Sequence, residues 1–248
     1  MFWLPTLFAL VALIYASVGF GGGSTYSALL ALSDVDYRLI PVIALLCNII
    51  VVTGGTIRFV RAGLIDWRAV LPLVAVSAPL AFIGGLVPLK QSVFYMLLGS
   101  GLLLSSLVLL VRVETFAAKR LPQPLLLCIS GAVGLLAGLS GIGGGIFMSP
   151  VLHLIRWADA KRIAAVASLY ILINSITGIA GQLVKAGPVS LMNPAAEYWP
   201  LMIGVLVGGQ IGSYLGLRLL SAVWIRRLTA VLVGYVAIRL LWQGWNLL

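Results

Sequence analysis

Two stretches of this chain hold four glycines in five positions, and both lie inside apolar runs of just over 30 residues. Gly19-Phe20-Gly21-Gly22-Gly23 interrupts residues 2–33, and Gly141-Ile142-Gly143-Gly144-Gly145 interrupts residues 123–155. A helix cannot run smoothly through such a cluster, and in hydrocarbon an irregular backbone is tolerated only where it is buried in protein or lines a cavity. The surroundings are hydrocarbon-like. The 248 residues are 62% hydrophobic and only 9% charged, against about 25% charged in soluble domains. Such a chain cannot clothe a water-soluble globule. No alternation of the kind that builds a transmembrane barrel is visible, which leaves an all-α polytopic membrane protein.

Six uninterrupted apolar stretches, at 39–60, 67–89, 92–111, 160–184, 198–220 and 223–247, are each about long enough to cross a bilayer. They fall three to a half. The glycine clusters match at an offset of 122, and the match continues through Asn48 and Asn174, Arg61-Ala62-Gly63 and Lys185-Ala186-Gly187, Pro72 and Pro200, and Ile83-Gly84 and Ile211-Gly212. Ordered matches of this kind mark a duplication. The expected halves are residues 1–114 and 121–248, with a linker at 115–120.

Charge placement predicts the threading. If each glycine-broken segment crossed once, eight Lys and Arg would fall on either side. If each enters and returns to its own side, the split becomes twelve to four. The positive-inside rule selects the second arrangement, although a fully spanning first segment would also keep twelve to four, so the first hairpin rests on its likeness to the second. The rich side takes Arg58, Arg61, Arg68, Arg112, Lys119, Arg120, Arg156, Lys161, Arg162, Arg218, Arg226 and Arg227, and the poor side Arg38, Lys90, Lys185 and Arg239. Two inverted repeats follow, each with one glycine-broken re-entrant helical hairpin and three transmembrane helices, and both termini lie outside. With the charge of +10 explained by topology, nothing calls for nucleic acid. The N-terminal residues lack a basic region and are expected to be mature structure rather than a signal peptide. Cys47 and Cys128 read as small buried residues.

Opposed hairpins should bring their glycines together near the midplane. The second arm of each begins near Ser24-Thr25 and Ile146-Phe147 and presents a helix N-terminus with unpaired N–H groups, a setting that favours an anion. The expected substrate-binding residues are Gly21, Gly22, Gly23, Ser24, Thr25, Asn48, Ser140, Gly143, Gly144, Gly145 and Asn174. Isolated glycine pairs such as Gly134 with Gly138, and Gly208 with Gly212, suit close helix packing instead. Asp34, Asp36, Asp66, Glu114, Asp159 and Glu197 all sit in loops or at span ends, which weakens a cation-transport reading. His153, the single histidine, reads mainly as a membrane-interface residue. No phosphate-loop lysine, GxSxG, HExxH or Cys/His cluster is present, so neither an enzyme, a metal site nor a cofactor is expected.

The two glycine motifs, the second extended as Gly138-Leu139-Ser140-Gly141-Ile142-Gly143-Gly144-Gly145, together with the paired asparagines and Ala62-Gly63-Leu64-Ile65-Asp66-Trp67, resemble the TauE/SafE family of membrane permeases. The resemblance covers essentially the whole chain. In the second half the post-helix motif departs, reading Gly187-Pro188-Val189-Ser190. The resemblance implies transport of small sulfur-containing anions (sulfite, sulfoacetate or related organosulfonates), commonly as export across the bacterial inner membrane. Expected partners are therefore the anionic substrate and the lipid bilayer, with a homodimer left open. An anion channel with a glycine filter, or a non-transporting membrane subunit, are the alternatives.

Overall fold

Among the described residues every regular element is an α-helix and no strand occurs. The structure is a computed structural model that describes residues 3–17, 19–110, 121–215 and 222–247. The expected linker, with Lys119 and Arg120, lies outside the described residues, as do Arg112, Glu114 and Arg218. The helices are α1 (Trp3–Ser17), α2 (Gly23–Leu32), α3 (Ile40–Arg61), α4 (Trp67–Leu86), α5 (Gln91–Leu110), α6 (Gln123–Ser140), α7 (Gly145–Leu154), α8 (Ala160–Ala186), α9 (Pro188–Ala196), α10 (Trp199–Leu215) and α11 (Ala222–Asn246). The chain is a multi-pass membrane protein. Helices α3, α4, α6 and α8 are long and apolar enough to cross a membrane. The short α9 was not expected from the sequence.

Glycine contacts fix the helix directions. On α10, Gly204, Gly208 and Gly212 lie against Pro5, Ala9 and Leu13 of α1, so the two helices run parallel. On α6, Gly134 and Gly138 lie against Ser77 and Ala81 of α4, again parallel. These are the close approaches that small residues permit between helices. Helix α3 runs parallel to α10, with Val51 beside Gly209 and Arg58 bonded to Ser213. In the same way α4 runs parallel to α8, with Ala81 beside Gly178 and Gly85 beside Gly181. Helices α3 and α8 are antiparallel: Leu45 meets Gly178, whereas Thr56 hydrogen-bonds Ser168 at 2.9 Å. So are α5 and α11, with Gly99 against Leu241, Gly244 against Met96, and Ser106 Oγ donating to the Ala230 carbonyl at 2.7 Å.

Because α1 and α3 both run with α10, the chain between them has to double back, and α2 is that return. The same reasoning makes α7 the return of α6. The hairpins are lopsided. Gly19, just past α1, sits on Ala164 near the start of α8, and Gly141, just past α6, sits on Pro41 near the start of α3. The long arms therefore run most of the way across before the chain turns, and the glycines that follow climb back to the middle. The short arms need only 10 residues each, about 15 Å of helix. In α2 every residue from Gly23 to Ala31 is buried, as a half-length helix in hydrocarbon requires. Tyr26 of α2 stacks on Phe8 of α1, ring centroids 4.7 Å apart.

The packing crosses the sequence halves. Helix α10 of the second half packs on α1 and α3, while α4 of the first half packs on α6 and α8. The outer surface carries exposed Trp3, Trp67, Trp199, Trp242 and Trp245 with Leu71, Ile203 and Ile238, an apolar girdle suited to lipid. Two charged side chains cap helices: Asp66 accepts from the N–H of Arg68 and Ala69 at the head of α4, and Asp159 from the N–H of Arg162 at the head of α8.

Candidate functional site

Both glycine loops close on one point, where α3 crosses α8. The loops reach it through left-handed residues that only glycine adopts without strain. Gly22 has φ 85° and Gly144 φ 80°, each the residue before a helix start, and neither helix start has a side-chain cap. The helices begin at Gly23 and Gly145, slightly earlier than the sequence suggested. The first N–H groups to find acceptors are those of Thr25, on the Gly22 carbonyl, and Phe147, on the Gly144 carbonyl, both within 3.1 Å. The N–H groups of Gly23, Ser24, Gly145 and Ile146 precede those bonds at the heads of the helices, where the dipole places partial positive charge.

Asn48 is the common contact. Its Nδ2 donates to the carbonyl of Ile142, in the second loop, at 3.2 Å. A methyl group on Gly143 would lie 2.7 Å from Asn48 Nδ2 and 3.0 Å from Ser175 Oγ. One on Gly23 would lie 2.7 Å from the Ile142 carbonyl oxygen, and one on Gly21 would strike Asn48 Oδ1. Ile171 of α8 touches both loops, with Cγ2 3.3 Å from the corresponding position on Gly21 and 3.1 Å from that on Gly143. It also meets Gly145. Absent side chains here permit contact between backbone, amide and hydroxyl that any larger residue would block.

Asn48 is the ninth residue of the 22 in α3, and Asn174 the fifteenth of the 27 in α8. Asn174 shares a helix face with Ile171, Ser175 and Gly178. Asn48, Asn174, Ser175 and Ser27 are fully buried, and Ser24 and Thr25 are 1% exposed. The site is closed to both faces of the protein.

The polar atoms at this point are only partly satisfied. Asn48 Oδ1, Asn174 Oδ1 and Ser175 Oγ are buried without a hydrogen-bond partner, as are Ser27 Oγ and Tyr26 Oη on α2. Each such group costs about 1–3 kcal/mol, a concentration of unmet hydrogen-bonding capacity that suits a ligand site. The hydroxyl of Tyr26 lies 3.0 Å from where a Gly22 side chain would begin. No ionisable side chain stands close along the chain. Helices α1, α2 and α6 carry no Asp, Glu, Lys, Arg or His, α3 carries none before Arg58, and α8 none between Arg162 and Lys185. Positive potential at the site therefore comes from helix ends and N–H dipoles.

The profile of the family described as "Sulfite exporter TauE/SafE" matches residues 4–240. The chain belongs to the TauE/SafE family. It is also 34% identical over 245 residues to a protein named "Probable membrane transporter protein y4hK" from Sinorhizobium fredii (strain NBRC 101917 / NGR234), covering 96% of this chain and 97% of that one. No solved structure matches. The protein is accordingly a membrane transporter of this family and not an enzyme.

Within this TauE/SafE chain the residues singled out in the sequence divide into groups. Gly21, Gly23, Gly143 and Asn48 meet directly, and Gly145 joins them through Ile171. Gly22 and Gly144 instead turn toward their own hairpins, Gly22 to Val11 and Tyr26, Gly144 to Val133, Ala137 and Tyr170. Thr25 is engaged by Tyr15 Oη at 2.8 Å. The hydroxyl of Ser140 donates to the Leu136 carbonyl at 2.6 Å and accepts from the Ile142 N–H at 3.4 Å, so it serves the end of α6. Sequence reading missed Ser175, Ile171 and Tyr26. Ser175 was detectable as the polar neighbour of Asn174, whereas nothing in the pattern singles out Ile171 or Tyr26. Gln210 of α10 accepts from Arg58 at 2.9 Å on the protein surface.

Proposed function

We propose that this protein is a secondary transporter of small sulfur-containing anions, among them sulfite, sulfoacetate and related organosulfonates, working by alternating access around the α3–α8 crossing. The observation that carries the reading is the convergence of two glycine-led helix starts on Asn48, beside the buried and unpartnered Ser175 hydroxyl. A pyramidal or tetrahedral oxyanion supplies several acceptors to N–H and O–H donors, and the helix ends favour its charge. Asn48 holds the second loop, and Asn174 and Ser175 face the ligand alongside Gly21–Thr25 and Gly143–Gly145.

Antiparallel α3 and α8, and antiparallel α5 and α11, support two inverted repeats, an arrangement many secondary transporters use. Matched contacts add to this: Gly22 meets Val11 as Gly144 meets Val133, at the 122-residue offset of the glycine clusters. The crossed packing means that the moving bodies in this reading are not the halves 1–114 and 121–248. They are two bundles, α1–α3–α10 and α4–α6–α8, that slide or rock along the α3–α8 seam. The excess of Lys and Arg at the end shared by the α3 C-terminus and the α8 N-terminus supports a cytoplasmic position for that end. Both termini are then periplasmic in a bacterial inner membrane, and the family described as a sulfite exporter supports export as the direction. Burial of the site from both faces favours a carrier over an open pore.

The test is transport in proteoliposomes. Internal unlabelled sulfite or sulfonate accelerates uptake of labelled substrate in a carrier, and the rate saturates. A rate linear in concentration with no counterflow would indicate a channel, and no anion flux at all would overturn the proposal.

A further inference from the structure

We infer that the site accepts one negative charge and discriminates against two, a reading that rests on the anion function just proposed and narrows its substrates. Two helix N-termini converge here, and each carries roughly half a positive charge. Together they offset about one unit. No formal cation adds to them: Arg58 is ten residues beyond Asn48 on α3 and Lys185 eleven beyond Asn174 on α8, roughly 15 Å away along each helix. Removing an ion from water costs free energy that grows with the square of its charge, so a dianion pays about four times what a monoanion does. Two dipole ends repay only twice as much.

The unpartnered atoms point the same way. Ser175 Oγ, beside Gly143, is a neutral donor, and with the N–H groups at the two helix starts it suits the oxygens of a single sulfonate or hydrogensulfite group. The remaining free atom of Asn48, Oδ1, is an acceptor at Gly21. It repels a second anionic oxygen and welcomes an O–H or N–H on the substrate. Monosulfonates and hydrogensulfite fit this set. Sulfoacetate and the sulfite dianion leave one charge uncompensated in a dry site.

Isothermal titration of the purified full chain at one pH and ionic strength separates the cases. The probes are methanesulfonate against sulfate, which are nearly equal in size, and ethanesulfonate against sulfoacetate. The expected result is binding of each monoanion at least about tenfold tighter than its dianion partner, with Asn174→Lys narrowing or reversing the ratio. Equal or tighter binding of sulfate and sulfoacetate overturns the inference and leaves the anion transporter standing. Binding of neither class overturns both.

Discussion

Asn48 of α3 reaches across the α3–α8 crossing to hold the backbone of the second glycine loop, its Nδ2 donating to the Ile142 carbonyl at 3.2 Å, while Asn174 of α8 holds no other helix and turns to the Tyr170 hydroxyl one turn back on its own. The two asparagines therefore part in their consequences. Asn48→Ala leaves a buried carbonyl unpaired and should destabilise the protein by about 1–3 kcal/mol, lowering Tm in detergent and abolishing transport. Asn174→Ala removes only a contact with the Tyr170 hydroxyl, which keeps its bonds to Ser130. It should lower Tm less than Asn48→Ala does, while weakening substrate binding. Equal Tm losses in the two variants would contradict this division.

The glycines divide as well. A methyl group on Gly23 or Gly143 meets the Asn48 amide or the Ile142 carbonyl, so Gly23→Ala and Gly143→Ala should force the loops apart and eliminate transport. Gly63, with φ 65° and open space around it, provides the control. Gly63→Ala carries only the strain of a left-handed residue, about 1–2 kcal/mol, and should transport normally. Proteoliposome flux on the three variants, each checked by size-exclusion chromatography, decides the matter.

Thr56 and Ser168 join α3 to α8 at 2.9 Å, buried at 5% and 1% exposure, on the charge-rich side of Asn48. Interhelical hydrogen bonds in membranes are worth about 0.6 kcal/mol on average. A double-mutant cycle with Thr56→Val and Ser168→Ala should return a coupling of that order. Each variant should also increase labelling of a cysteine placed at Val52, because the seam opens more readily there. Full additivity with unchanged labelling would rule out a closing role for the pair.

Packing glycines are a separate class. Gly138 lies against the Ala81 carbonyl and Gly208 against the Ala9 carbonyl. Gly138→Val and Gly208→Val should each yield aggregated protein, since the clash is with backbone that has nowhere to go.

Much of this fold was legible because the bilayer restricts the options: long apolar runs become helices, and two runs broken by glycine clusters become hairpins. The separation of packing pairs such as Gly134 and Gly138 from the loop glycines agrees with the contacts seen. Less legible was depth. Gly19 and Gly141 lie near the far ends of the seam rather than at its middle, because α1 and α6 run farther than a symmetric hairpin would. The swap of α4 and α10 between bundles leaves no mark on periodicity, since lipid-facing and helix-facing sides are equally apolar. Site residues followed the same rule. Asn48 and Asn174 stood out as polar groups in apolar spans, whereas Ile171 fills the space between the loops and resembles any other apolar residue of α8.

The most direct test of the central claim is to locate the anion itself. Crystals of the full chain soaked in bromomethanesulfonate should give an anomalous bromine peak beside Gly143 and Ser175, with the sulfonate against the heads of α2 and α7. A peak confined to the apolar groove of Phe82 and Ile176 on the α4–α8 surface, in protein that still transports the compound, would contradict the account.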